Sequence, residues 1–149
     1  MFRSILIVAL LSGLVRATAV HAQQPQLPLA RLTAGMHVVQ AEVADSFGTR
    51  MLGLMKRESL APNHGMLFLF EADERQCMWM KNTLIPLSVG FIDAQGAIIN
   101  IADMQPHSED SHCSARPARY ALEMKQGWFR EKGLKPGARI GGIPGAASR

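Results

Sequence analysis

The sequence predicts a mainly β fold, a small sandwich or barrel with one or two short helices packed on it. Three observations carry that expectation. Apolar and polar residues alternate over several short runs, the period of a half-buried strand. Turn-forming residues interrupt the chain roughly every ten residues, as in all-β domains. The segments between the runs are too short for the crossover helices that a parallel α/β sheet needs.

At 149 residues the chain suits a single domain. Residues 1–22 read as a signal peptide. Met1-Phe2-Arg3 is a basic start, Ile5 to Val15 is an apolar run too short to span a bilayer, and Val20-His21-Ala22 is a small-residue cleavage pattern. An uncleaved anchor is the alternative. On the first reading the mature chain has no transmembrane segment and is periplasmic or secreted. Losing Arg3 and Arg16 with the leader lowers the formal charge from +4 to +2. Without a Lys/Arg run or a basic stripe interleaved with aromatics, nothing points to nucleic acid.

Residues 23–35 are expected as an N-terminal extended segment, 36–143 as the single β-rich domain and 144–149 as a flexible tail. From Met36 to Ala44, Val39, Ala41 and Val43 alternate with Gln40 and Glu42, a half-buried strand. Asp45-Ser46 supply N-cap oxygens for a short helix, on which Phe47, Met51, Leu54 and Met55 form one apolar stripe. If that helix continues, Arg50 and Arg57 project from nearly the same side. Pro62-Asn63-His64-Gly65 is a turn, and Met66 to Phe70 is apolar on both faces, like a central strand.

After the acidic turn Glu71-Ala72-Asp73-Glu74, alternation places Cys77, Trp79 and Lys81 on one face of the next strand. Lys81-Asn82-Thr83 is a polar island fastened to the most hydrophobic part of the chain, where a charge is costly unless something answers it. Leu87 to Ile92 and Ala97 to Met104 read as a hairpin around Asp93-Ala94-Gln95-Gly96. Residues 105–117 form the longest polar loop, the kind of segment in which function concentrates. Tyr120, Leu122 and Met124 mark another strand, Trp128 to Lys132 a short helix ending at Gly133, and Arg139 to Ile143 a closing strand.

Cys77 and Cys113 are the only cysteines, and an exported chain with an even count favours a disulfide between them. Closing that loop stabilises by about 3.5 to 4 kcal/mol if the geometry allows it. Free buried thiols or a metal pair are the alternatives.

Several motifs together resemble domain-of-unknown-function family 192. They are Arg50-x-x-Gly53-Leu54-Met55-x-Arg57, Gly65-Met66-Leu67-Phe68-x-Phe70, Trp79-Met80-Lys81-Asn82-Thr83-x-Ile85-Pro86-Leu87 and Tyr120-x-Leu122-Glu123. The resemblance spans about residues 36 to 143 and implies a mainly β, jelly-roll-like domain, often exported, without an established activity. Two positions depart from the pattern. Ser88 and Ala138 stand where the family usually has Asp.

Three constellations are candidates for chemistry. The first is the polar set Arg50, Arg57, Lys81, Asn82 and Glu123, either a structural charge network or a pocket for a polar or anionic ligand. Periodicity turns Glu123 outward unless the helix and its arginines cover that face. The second is a soft-metal (copper) site drawn from Cys77, Met78, Met80, His107, His112 and Cys113, although Met more often fills cores. The third is a Cys-His enzyme using His112 and Cys113 of the 105–117 loop, which requires a free thiol. No cofactor is expected, and the polar set itself offers neither a nucleophile beside a base nor a carboxylate pair. The favoured reading is an exported envelope protein, a small binding or accessory module for a small polar or anionic ligand or an envelope protein. Its polar site lies near Lys81-Asn82-Thr83.

Overall fold

The structure is a computed structural model that describes residues 26–145. The expected leader and the last four residues of the expected tail lie outside the described residues. The described elements are, in order, β1 (Leu29–Ala34), β2 (His37–Ala44), α1 (Phe47–Leu52), β3 (His64–Glu74), β4 (Cys77–Met78), β5 (Leu87–Ile92), β6 (Ile98–Met104), β7 (His112–Cys113), β8 (Ala118–Lys125), α2 (Trp128–Glu131) and β9 (Ile140–Gly141). No helix among them is long and apolar enough to cross a membrane.

The fold is mainly β, as the alternation predicts. Seven strands form one sheet in the order β6-β5-β8-β3-β2-β1-β9, and β4 and β7 form a separate ribbon. The residues before Gly35, expected only as an extended segment, supply β1, which pairs with β2 along its length. One neighbouring pair, β2 with β3, is parallel. The 45–63 connection, which contains α1, is long enough for that crossover.

The sheet curls until its edges meet. Ala97 bridges Arg139, and the Ile98 and Ile140 amides donate across the gap to the carbonyls of Ala138 and Gly96, both at 2.8 Å. Residues from both edges, Ile98 and Ile140, share one core with Leu32, Val39, Leu67, Leu122, Trp128 and Phe129, so that core is the inside of the curl. Helix α2 plugs it. A Cβ on Gly90 would lie 2.8 Å from the Phe129 ring, which is why the strand is bare there.

The outer face carries a second core built on Met66, Phe68, Val89, Phe91 and Ala121 and covered by Leu54 and Met80. This cover explains why both faces of β5 and most of both faces of β8 are buried. A sheet apolar on one side only would leave the second set of alternate residues in water.

Helix α1 begins with a reciprocal cap, Ser46 accepting from the Thr49 amide and Thr49 from the Ser46 amide. It ends early at Gly53, whose φ of 49° leaves the helical region. The expected stripe is therefore divided. Leu54 is buried in the outer core, while Phe47 and Met51 face solvent.

Candidate functional site

The site grows out of one row across the sheet. Glu42 on β2, Met66 on β3, Glu123 on β8 and Val89 on β5 are register partners in sequence. Directly paired residues share a face, so their side chains stand on the outer face beneath the α1 cover. Glu123 is accordingly turned into the protein's second core and is only 3 % exposed. No ion pair or hydrogen bond to its carboxyl is seen among the described residues. Burial without a counter-charge pushes this group up from 4.5 to about 8.

Above Glu123 is a narrow cleft of about 30 Å³, walled by Arg50, Gly53, Met55, Phe68, Met78, Trp79 and Thr83. That volume admits about one or two waters. The cleft shares Arg50, Met51, Phe68, Met78 and Trp79 with a wider groove of about 410 Å³, whose lining adds Phe47, Phe70, Glu71 and Glu74. The mouth is open and mixed in character, with Phe47 73 %, Met51 47 % and Trp79 41 % exposed beside Glu71, Glu74 and Gln76.

The five polar residues expected together are divided between three places. Arg50 and Glu123 share the cleft. The Arg50 guanidinium is already engaged: Nη1 donates to the carbonyls of Asp45 and Leu69 and Nη2 to Glu71 Oε1, each at 2.9 Å. It fastens α1 to β3. Arg57 does not line up with Arg50, because the helix stops at Gly53. It pairs instead with Glu42 at 2.7 Å, and its buried Nε has no partner among the described residues.

Lys81 is exposed, 3.7 Å from Glu109 and with its ammonium 5.3 Å from the Trp79 ring centre. This agrees with the expected nearness of Trp79 and Lys81, although regular strand structure stops at Met78. Asn82 has a left-handed backbone, φ 56°, and its carbonyl accepts from the Lys56 amide at 2.9 Å. The member of the polar island that reaches the cleft is Thr83.

The 105–117 loop converges on the same wall. Met80 donates to the Ser108 carbonyl at 2.9 Å and His107 to the Thr83 carbonyl at 3.1 Å. Cys77 and Cys113 face each other across the β4-β7 ribbon and form a disulfide, with Cα atoms 4.0 Å apart. The bridge removes the thiol that a Cys-His nucleophile or a thiolate metal site requires. Among the described residues no group of three or more His, Cys, Asp or Glu side chains is placed to hold a metal ion.

A second cavity, of about 370 Å³, lies on the opposite face of the sheet, beside Ser88, Asp103, Phe129, Arg130 and Lys135. Its polar groups satisfy one another. The buried Ser88 hydroxyl donates to Asp103 and accepts from the Gly127 amide, and Arg130 stands 3.5 Å from the other Asp103 oxygen.

Sequence reading missed the mouth of the main groove. Phe47 and Met51 look like core positions until the helix is seen to end, and Glu71 and Glu74 look like turn residues. The available signal was Gly53, a helix-stopping residue inside the apolar stripe.

Solved structures similar to this chain include the following two. A crystal structure of "a putative transcription regulator" from Sinorhizobium meliloti 1021 is 36% identical, with a TM-score of 0.76, over 80% of this chain and 98% of that one. A protein of unknown function from Novosphingobium aromaticivorans DSM 12444 is 30% identical, with a TM-score of 0.73, over 83% of this chain and 96% of that one. No curated protein matches. The profile of DUF192, described as uncharacterized ACR, matches residues 30–142. With its motifs, its curled sheet and this match in agreement, the chain belongs to the DUF192 family.

Proposed function

We propose that the protein is a small binding module of the cell envelope and that its site is the cleft over Glu123. The observation that carries this reading is Glu123 itself, a buried carboxyl without a donor at the floor of an open groove. A fold gains nothing from such a group. Holding a carboxyl in an apolar surround away from any protein donor is costly, and groups perturbed in this way cluster at functional sites. Export fits the leader pattern of residues 1–22 and the cross-strand disulfide, which persists in oxidising compartments.

Five of the arginines, Arg50, Arg57, Arg116, Arg119 and Arg130, each face a carboxylate and so offer no free charge to a nucleic acid. Replacing Glu123 with Met, of similar length and without the charge, tests the binding reading. A binding residue should be dispensable to folding, so Glu123→Met should fold and resist urea at least as well as the native chain. A clear loss of stability in Glu123→Met would assign Glu123 to the fold and remove the site.

A further inference from the structure

We propose that the cleft receives the primary ammonium group of a ligand with an apolar body, the ammonium seated on Glu123 and the body lying in the groove between Phe47, Met51 and Trp79. This inference rests on the binding reading above and gives that site its ligand class. Four observations lead to it.

First, the floor is an acid and its answering cation is missing. Of the charged groups on elements packed against Glu123, Arg50 of α1 is committed to Glu71 and two carbonyls. Arg57 and Glu42, two strands away on the same face, are committed to each other. The neighbouring positions on β3 and β5, Met66 and Val89, carry no charge, and Lys125, two residues along on the same face of β8, is exposed and makes no ion pair with Glu123. From the segment after β4, Lys81 stands outside the cleft beside Trp79 and Glu109.

Second, the sign excludes the anionic ligand that the arginines first suggest. An anion would find both guanidinium groups occupied and a carboxyl beneath it. A cation finds the carboxyl and, in the groove outside, Glu74, which has no counter-ion among the described residues; the Trp79 ring contributes apolar surface, its face already holding the Lys81 ammonium at 5.3 Å.

Third, the cleft's 30 Å³ sets the size of the head. A primary ammonium is one heavy atom and fits. A trimethylammonium group is bulkier and has no N–H to donate to the carboxylate. Fourth, the groove outside is lined by Phe47, Met51, Phe68, Phe70 and Trp79, which suit an alkyl or aromatic body.

Seating an ammonium requires the carboxyl to ionise, so binding releases the Glu123 proton. With the group titrating near 8 when the cleft is empty, the ionised fraction, and with it the affinity, rises about tenfold between pH 7 and pH 9. A neutral ligand hydrogen-bonded to the protonated acid would show the opposite trend.

The test is a titration of the ¹⁵N-labelled protein, disulfide intact, with phenethylamine, followed through the Trp79 indole N–H and the backbone amides of Met51 to Leu54. Phenethylamine should shift these signals, bind about tenfold more tightly at pH 9 than at pH 7, and lose its effect in Glu123→Gln. 3-Phenylpropionate and choline should not shift them at the same concentrations. A dipeptide amide with a blocked N-terminus, phenylalanyl-lysine amide, run in parallel separates the sources. Tighter binding than phenethylamine would assign the amine to a lysine side chain, and weaker binding to a free small molecule.

Equal binding of the carboxylate, affinity that falls with pH, or phenethylamine shifts that survive in Glu123→Gln would each overturn the ligand class. No phenethylamine shift, with Glu123→Met stable, would also overturn it while leaving the binding cleft standing. A destabilised Glu123→Met would remove both.

Discussion

Glu123 on β8 is the register partner of Met66 on β3, so a carboxyl and a thioether share the sheet face that α1 covers. Every consequence of the site follows from that placement. Sheet periodicity assigns Glu123 to the face opposite Leu122 and Met124, and the cover over that face turns an outward carboxyl into an inward one.

The pH dependence of stability has a definite sign. Glu123 titrates at about 8 in the fold against 4.5 as its ordinary value, so between these values the folded chain holds more protons than the unfolded one. The folded state is most stable with respect to this group below about pH 4.5, and stability falls as pH rises towards 8, at up to about 1.4 kcal/mol per pH unit, before levelling off. Urea midpoints measured from pH 5 to pH 9 should decline and then level off, and the decline should be absent in Glu123→Gln.

Glu123→Met should unfold at higher urea than the native chain at pH 9, with an advantage about 4 kcal/mol larger there than at pH 5, because the apolar side chain escapes the cost of ionising a buried acid. The gain should shrink at pH 5, where the native acid is neutral.

Arg50→Lys should cost about 1 to 2 kcal/mol, since one ammonium cannot reproduce a planar fork that meets Asp45, Leu69 and Glu71 at once. Hydrogen exchange should show the loss locally, as faster opening of α1 than of β8.

Reducing the Cys77–Cys113 bridge should lower stability by up to about 3.5 to 4 kcal/mol, because the closed loop spans 36 residues. The ribbon contributes Met78 and Trp79 to the cleft wall, so Trp79 should also become more mobile. Thermal melts with and without dithiothreitol, together with relaxation at the indole N–H, measure both effects.

Gly90→Ala should destabilise by about 1 to 3 kcal/mol through its clash with the buried Phe129 ring, measured as a lower urea midpoint with an unchanged slope.

Much of the fold was legible because alternation is a local property. Val39, Ala41 and Val43, or Tyr120, Leu122 and Met124, announce their strands without reference to partners. The parallel pairing of β2 and β3 was not legible, because a 45–63 segment with one short helix gives no local sign that it crosses over. Arg50 and Glu123 could be singled out as charges within apolar motifs. Their relationship could not, since it depends on where α1 ends and what its guanidinium meets. Arg57 was misplaced for the same reason: its partner Glu42 looks solvent-facing in β2 until the chain after α1 folds over it. The expectation of an anionic ligand came from counting arginines, and pairing with Glu71 and Glu42 is visible only in three dimensions.

The most direct measurement is a ¹³C NMR titration of the Glu123 side-chain carboxyl in the native protein, assigned by its disappearance in Glu123→Gln. A midpoint near 8, well above every other glutamate and moving down when phenethylamine is added, is the predicted result. A midpoint in the ordinary range near 4.5, unmoved by phenethylamine, would contradict the account, because the carboxyl would then already have water or a donor for a partner.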